Sequence, residues 1–201
     1  MQNNLINVLG SQSAEGLVWG ALSGLMTGIS ADADVAAVFN LNDSPIVVPR
    51  IRIRWFTTTA FTTAQCMAFR VNKVYGATAI HTGGTPTAIQ AHYNFQSGQK
   101  TTRAGAVIAT GDRIPLTEIS GVIAGTAAIT TATYTGEDTD EPEAVAIGAG
   151  STTPSVWENY VPPGPPIVLP KNTGIVINLA IAMGAAGVGK LFVGLDGARP
   201  G

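Results

Sequence analysis

The segment with the most specific chemical pattern is residues 184–190, which reads G-x-x-x-x-G-K. A nucleotide-binding loop of this spacing needs Ser or Thr after the lysine to hold magnesium, and then a helix whose N-terminus receives the phosphate. Here Leu191 follows the lysine, and Phe192 and Val193 continue as strand-forming residues. The sequence therefore predicts the Gly-rich tip of a β-hairpin, with no nucleotide and no other cofactor.

Possible metal ligands are few and far apart in the chain. The histidines are His81 and His92, and the single cysteine is Cys66, whereas a structural zinc site takes four ligands. Cys66 lies in an apolar, strand-like run and is interpreted as a small buried hydrophobic residue. His81 precedes Thr82-Gly83-Gly84 and is predicted in a loop, and His92 is predicted at the surface. The sequence predicts no metal site.

An acidic stretch at residues 136–143 holds five carboxylates and is the one candidate for calcium. It lacks the central glycine and the terminal bidentate glutamate of a calcium-binding loop. We interpret it as a solvated loop, which is also suited to face a basic patch such as Arg50, Arg52 and Arg54 on a neighbouring copy.

Residues for covalent or acid–base catalysis do not form a recognisable pattern. There is no G-x-S-x-G, and no nucleophile is paired locally with a histidine and an acid. The predicted strands carry few acids, which argues against a carboxylate pair for glycoside hydrolysis. Trp157 and Tyr160, beside the proline run at 162–166, are candidates for a carbohydrate platform, but we interpret them as anchors of that loop. The sequence therefore predicts no catalytic residues and a protein that is not an enzyme.

The composition points to a surface that partners cover. Of the 201 residues, 45% are hydrophobic and only 12% are charged, and the net charge is −2. A typical soluble domain has about 25% charged residues. Thr, Ser, Gly, Ala and Asn must cover this surface instead, so it is weakly hydrated and weakly self-repelling. There is no basic cluster for nucleic acid and no signal for membrane attraction, and no secretion signal is recognised at the N-terminus.

The N-terminal region divides into two parts. Residues 1–14 are polar, without a clear period, and are predicted to form an arm. Within residues 14–30 a glycine recurs every fourth residue in an apolar run. Such a repeat is typical of closely packed helices, but glycine costs a soluble helix about 1 kcal/mol relative to Ala, and the run is short of the roughly 20 residues that span a bilayer. An extended strand is favoured, a packed helix is the alternative, and a membrane span is disfavoured.

Strand signals are clear from residue 49 onward. Residues 50–56 alternate strictly, so Ile51, Ile53 and Trp55 share one face and the three arginines share the other. Pro49 is predicted at the entry of this strand. Residues 65–75 form a second predicted strand, in which Val74 falls out of phase and indicates a bulge or the strand end. Residues 174–183 and 190–196 predict a hairpin.

No window of 12 residues after residue 30 has a helical period, so the sheets must cover one another. We therefore predict an all-β, jelly-roll-like β-sandwich with an N-terminal arm. The arm is residues 1–14 and the single domain is residues 15–201. A long surface excursion is predicted at about 136–166, between the acidic and the proline-rich stretches.

The C-terminal pattern carries a family resemblance. Residues 167–177, the hairpin at 180–189 and the strand at 191–193 resemble the last strands of jelly-roll minor structural proteins of tailed bacteriophages. Residues 50–55 with their Thr-rich continuation at 57–64 are also similar, and the resemblance extends over residues 15–199. It implies a capsid decoration (cement) subunit, often trimeric, without catalytic residues.

The expected function is therefore that of a virion structural protein. It would be made in the host cytoplasm, form a homotrimer, and bind and stabilise the lattice of the major capsid protein at the capsid surface. One alternative is a tail, collar or head-fibre component, and another is a carbohydrate-binding β-sandwich module.

Overall fold

The computed structural model describes residues 15–77, 81–92, 115–130, 134–139, 143–147, 149–150, 157–160, 165–184 and 186–199. These residues form strands and the turns between them, and no helix occurs among them. The twelve strands are β1 (Glu15–Leu22), β2 (Asp34–Asn40), β3 (Ile46–Thr59), β4 (Gln65–Tyr75), β5 (Thr85–His92), β6 (Pro115–Ile123), β7 (Gly136–Thr139), β8 (Glu143–Ile147), β9 (Trp157–Tyr160), β10 (Ile167–Leu169), β11 (Thr173–Leu179) and β12 (Val188–Arg199). The predicted arm at 1–14 lies outside the described residues.

The strands pair as a long hairpin that has been wound upon itself. Each early strand pairs antiparallel with one or two late strands. Strand β1 pairs with β12, and β2 pairs with β11. Strand β3 pairs with β9 and β10, and β4 pairs with β7 and β8. Winding then places β12 beside β3 and β11 beside β4. This is the strand order of a jelly roll, so the predicted fold class is confirmed.

Two layers result from this winding. The first sheet contains β3, β12 and β1 with β9 and β10 at its edge, and the second contains β2, β11 and β4 with β7 and β8 at its edge. Strands β5 and β6 pair with each other, and they extend the pairing from β1 to β2. Hydrogen bonding is therefore continuous around one side of the sandwich, while the short strands β7 to β10 form the edges of the other side.

The core lies between the two layers and is built by alternation. The inward side chains of the first sheet include Ile51 and Val193, which meet Ala36, Val38 and Ile175 of the second. These residues line an apolar cavity of about 10 Å³, a space no larger than one water molecule. Burial of each such aliphatic side chain contributes about 1.5–3 kcal/mol, so this close-packed interior stabilises the fold.

The glycine-rich N-terminal run is extended, as favoured. Strand β1 begins at Glu15 and ends at Leu22. The chain then continues beside β12, where Met26 pairs with Gly189, and both Met26 and Ile29 are buried. Gly24 packs directly on the backbone of Gly125, because a Cβ at position 24 would lie 2.8 Å from the Gly125 carbonyl carbon. The close approach that glycine permits here joins two loops and not two helices.

Strands β3 and β4 confirm the strongest predictions and correct one detail. Strand β4 has the predicted bounds, and β3 buries Ile51, Ile53 and Trp55 as predicted. Pro49 lies within β3 and not at its entry, since a register shift opposite Gly197 relieves the need for its missing N–H. Val74 lies one residue before the end of β4, in agreement with the strand-end alternative, but it forms no bulge: it pairs with Gly174 and is fully buried, because the second sheet is covered on both faces here.

Two further expectations are wrong. Cys66 is exposed, because it alternates with the inward Met67. The described parts of the segment at 136–166, for which a surface excursion is predicted, include β7, β8 and β9, which pair at the edges of the sandwich. The acidic stretch accordingly begins as the strand β7, although its side chains are exposed as expected.

Candidate interaction surface

The outer faces of the two sheets differ in their exposure. On the second sheet the outward positions of β2 and β11 and of the C-terminal half of β4 are buried, and we call them the covered face: Ala37, Phe39, Asn72, Val74, Gly174, Val176 and Asn178. The outward Cys66 and Arg70, nearer the start of β4, are exposed and half-buried, respectively. On the first sheet the outward positions of β1, β3 and β12 are mostly half-buried or exposed, and we call them the open face: Gly20, Leu22, Arg50, Arg52, Arg54, Phe56, Lys190, Phe192, Gly194 and Asp196.

Irregular segments between strands cover the second sheet. The ring of His81 stacks on Phe39 with centroids 5.3 Å apart and an interplanar angle of 27°. The backbone N–H of Ile129 donates to the carbonyl of Asp34 at 2.9 Å, which holds another connecting segment against β2. His81 lies in a loop, as predicted, but it is 1% exposed and works as a packing residue.

A buried polar cluster lies beneath this cover. His81 Nε2 is 2.9 Å from Asp34 Oδ2, and since a carboxylate accepts, Nε2–H is the donor. A register shift at Asn178 turns Asp34 to the covered face. Within this cluster, among the residues that the structure describes, three buried side-chain atoms have no hydrogen-bond partner, namely His81 Nδ1, Asn72 Oδ1 and Asn178 Oδ1. Each such atom costs about 1–3 kcal/mol, so the His81–Asp34 bond partly offsets a polar cluster that is costly to bury.

The His81–Asp34 pair resembles the base and orienting acid of a hydrolytic triad only in its chemistry. The second ring nitrogen of His81 is buried and has no hydrogen-bond partner, and the histidine is enclosed against Phe39. Within the residues that the structure describes, the pair therefore ties the loop before β5 to the start of β2 and does not activate a nucleophile.

Charged side chains on the open face are paired across strands. Asp196 of β12 accepts from Arg50 Nη2 at 2.6 Å through Oδ2 and from Arg52 Nη2 at 2.9 Å through Oδ1. Arg52 lies across Gly194, because a Cβ there would be 3.0 Å from the Arg52 Nε. The Asp196 carboxylate thus orients two arginines flat on the sheet.

Apolar groups lie beside these ion pairs. The guanidinium of Arg54 lies 4.7 Å from the centroid of the Phe56 ring, a cation–π geometry. Phe192 is half-buried, and Leu22, its register partner on β1, is 51% exposed. The open face therefore combines exposed apolar area with oriented guanidinium groups, and arginine and aromatic residues are enriched in protein–protein interfaces.

The acidic strand β7 makes its contacts within the second sheet. The Tyr75 hydroxyl donates to Asp138, and this hydrogen bond, with burial and the Asp138 charge, raises the pKa of Tyr75. Tyr134 donates to Glu137 at 3.4 Å. Burial, followed by the charges of Glu137 and Asp34, raises the pKa of Tyr134 to about 12.

Aromatic packing requires glycine at two positions of the Gly-rich segment between β11 and β12. A Cβ at Gly187 would lie 2.2 Å from the Phe61 ring, and one at Gly189 would lie 2.2 Å from the Trp55 ring. Strand β12 begins at Val188, so Lys190 lies in a strand and no helix follows it. The hairpin prediction is wrong: β11 pairs with β2 and β4, and β12 pairs with β1 and β3, so the Gly-rich segment connects strands of different sheets. The phosphate-binding geometry is not formed.

The candidate carbohydrate residues do not share a face. Trp157 is the register partner of Arg54, and Tyr160 is the register partner of Ile51. Arg54 and Ile51 lie on opposite faces of β3, so the two aromatic positions do not form one platform. The strand position of Trp157 is on the same side as the open face.

Metal sites and membrane-spanning helices are two further features to consider. Among the described residues, no group of three or more His, Cys, Asp or Glu is arranged to hold a metal ion. In the same part of the chain, no helix has the length and apolar character needed to cross a membrane. Comparisons with protein-family models, with curated proteins and with solved structures found no match. By its fold and surface, the protein belongs to the structural class of jelly-roll β-sandwiches, with one covered and one open outer face.

Sequence reasoning located part of this surface. It placed the three arginines on one face of β3, but it did not find Asp196 as their partner or Leu22 and Phe192 beside them. Their juxtaposition follows from the register of β12 against β3 and β1. The one available signal was the matched alternation of residues 50–56 and 190–196.

Proposed function

We propose that this protein is a non-catalytic virion structural subunit, a capsid decoration (cement) protein that assembles with copies of itself and binds a lattice of major capsid protein. The observation that carries the proposal is the contrast between the two outer faces. The second sheet is already covered by its own loops, whereas the first leaves Leu22 and the Arg54–Phe56 pair accessible.

The composition supports the same function. Only 12% of the residues of the whole chain are charged, so most of its surface can be buried against another protein with little charge to desolvate. The described ion pairs of the open face are formed within the subunit, by Arg50 and Arg52 with Asp196. A partner can cover this face without separating those charges.

The proposed mechanism is mechanical. A subunit bound across the junction between capsid subunits loses its contact area when they separate, so its binding opposes the separation. Binding to the assembled state alone stabilises that state by mass action. A stable interface buries about 800 Å² on each partner, which is within the reach of one sheet face.

Self-assembly is tested by multi-angle light scattering of the purified chain. We expect a monodisperse oligomer, with a trimer as the expected size. Leu22→Asp, on the open face, should shift the protein to monomer. Ile181→Asp is the matched control, since Ile181 is 45% exposed in the loop after β11. A wild-type chain that stays monomeric at every concentration would refute self-assembly.

Placement on the virion is tested by electron microscopy of particles made with and without this protein. Density on the capsid surface that disappears with the protein is the expected result. Density confined to the tail, collar or head fibres would replace decoration by the alternative structural role.

The carbohydrate-binding alternative has less support from the geometry. The Phe56 ring is engaged by Arg54, and Trp157 and Tyr160 lie at opposite-face positions. Binding on a glycan array that is lost in Trp157→Ala would favour that alternative over decoration.

A further inference from the structure

The open face concentrates positive charge. Four of the 11 basic residues of the chain lie on it, namely Arg50, Arg52, Arg54 and Lys190. The one carboxylate among the defined open-face residues is Asp196, and both of its oxygens accept hydrogen bonds from arginines. The face therefore keeps a net positive charge although the protein as a whole has a net charge of −2.

The edge of the second sheet carries the opposite charge. Strand β7 exposes Glu137 and Asp138, and we call these two residues the acidic edge. The sequence continues with acids at positions 140, 141 and 143. Tyr134 and Tyr75 donate to Glu137 and Asp138 respectively, so the carboxylates are held in place before any partner arrives.

The two surfaces belong to different sheets of the sandwich. Within the described residues, Asp138 of the acidic edge contacts Tyr75 of its own sheet, and Arg50 and Arg52 contact Asp196. Because the open face is positive and the acidic edge is negative, the open face of one copy is complementary in charge to the acidic edge of another. A contact between different surfaces of identical subunits repeats from copy to copy, and closes into a ring where the rotation allows.

We propose that the open face of one copy receives the acidic edge of a second copy, as a heterologous contact steered by charge. This inference rests on the proposed function, because it specifies how the self-assembling subunits meet. Lys190 lies beside the Arg54–Phe56 pair on the open face and supplies a cation, while Glu137 supplies an exposed carboxylate.

The test is a charge-reversal experiment on the full chain. The open-face variant is Lys190→Glu, the edge variant is Glu137→Lys, and a third chain carries both changes. Lys171→Glu and Asp43→Lys are matched controls, because these residues form an exposed ion pair of 2.7 Å elsewhere on the surface and change the net charge equally. Sedimentation velocity gives the dissociation constant of each assembly, and circular dichroism verifies the fold.

Each single reversal places like charges together at the contact, so we expect the dissociation constant to rise about tenfold or more. The double variant should recover most of this loss, and a mixture of the two single variants should form mixed assemblies. Raising the salt concentration should weaken the wild-type assembly, since the contact is at the surface. The two controls should assemble as the wild type does.

The results separate this inference from the proposed function. A wild-type oligomer that is unaffected by both reversals, or a double variant without recovery, would overturn the charge-steered contact and leave self-assembly standing. A wild-type chain that never assembles would overturn both. Reversals that weaken assembly as strongly in the control pair would assign the effect to net charge and overturn the contact.

Discussion

The outer faces of the two sheets come from the same alternating strands but have opposite environments. On the second sheet, Phe39 is enclosed by His81, and every position of β2 and β11 is buried. On the first sheet, Phe56 is half-buried beneath Arg54, and Leu22 is exposed. The first sheet has no comparable cover from the described loops.

The two faces also differ in the role of their polar groups, which are costly to bury on the covered face and accessible to a partner on the open face. The His81–Asp34 pair is enclosed with orphaned polar atoms around it, so its contribution is to fix the loop before β5. The Arg50–Asp196 and Arg52–Asp196 pairs are partly hydrated, so they contribute little to stability and leave oriented guanidinium groups for a partner. Stability and recognition are thus assigned to opposite sides of one sandwich.

Truncating one phenylalanine on each face should give the largest difference. Phe39→Ala removes a side chain that is 1% exposed and should lower the free energy of unfolding by about 3–5 kcal/mol. Phe56→Ala removes a half-buried ring and one cation–π contact, and should cost about 1–2 kcal/mol. Urea denaturation measures both values, and equal losses would contradict the distinction between the faces.

Removing one carboxylate on each face should give a smaller difference. Asp34→Ala removes the acceptor of the buried His81 Nε2–H and should cost about 3 kcal/mol. Asp196→Ala leaves two arginines in contact with water and should cost about 1 kcal/mol or less. High salt should diminish the Asp196 effect but not the Asp34 effect. If salt changed the loss of unfolding free energy equally in the two variants, the distinction between the buried and the exposed carboxylate would be contradicted.

Adding one methyl group distinguishes a core-facing from an outward glycine. Gly189→Ala forces a Cβ to within 2.2 Å of the Trp55 ring and should cost about 1–3 kcal/mol. Gly20→Ala puts a Cβ 3.6 Å from the Phe192 ring, an ordinary contact, and should stabilise the strand by about 0.5 kcal/mol. The measurement is the midpoint of thermal unfolding. If both variants moved the midpoint in the same direction, the placement of Gly189 in the core and Gly20 on the outer face would be contradicted.

The smallest effect concerns alkaline pH at the acidic edge. The pKa of Tyr134 is raised from 10.0 to about 12 in the folded protein, so the folded state retains a proton that the unfolded chain releases near pH 10. Stability from this residue is therefore complete below pH 10 and is lost as pH rises toward 12. Tyr134→Phe should flatten that slope in chemical denaturation. A slope unchanged by the substitution would contradict the raised pKa.

Alternation made the strands predictable from sequence, but it did not make the covered face predictable. Residues 65–75 were assigned as a strand with the bounds that β4 has, because Met67, Phe69 and Val71 share one face. The cover over β2 comes from irregular segments, which have no period to detect. Asp34 and His81 lie 47 positions apart, so nothing in either local sequence indicates that they meet.

Misassigned burial has the same physical origin. Cys66 was expected to be buried because its neighbours are apolar, yet strand alternation turns it outward. Val74 falls out of phase and predicts a bulge or the strand end; it lies next to the end of β4, but no bulge forms, and it is buried because the outer face of its sheet is covered. Both differences arise because the sequence of a strand shows its period but not which of its two faces lies against protein.

The most direct test of the central claim is thiol protection at the open face. Leu22→Cys, in a Cys66→Ser background, places a single thiol where the native side chain is 51% exposed. Asp43→Cys in the same background is the control, at a side chain that is 88% exposed. If partners cover the open face, the thiol at position 22 reacts quickly in dilute monomer and slowly in the assembly, while the control reacts equally in both. Equal reactivity of the thiol at position 22 in monomer and assembly would contradict the account.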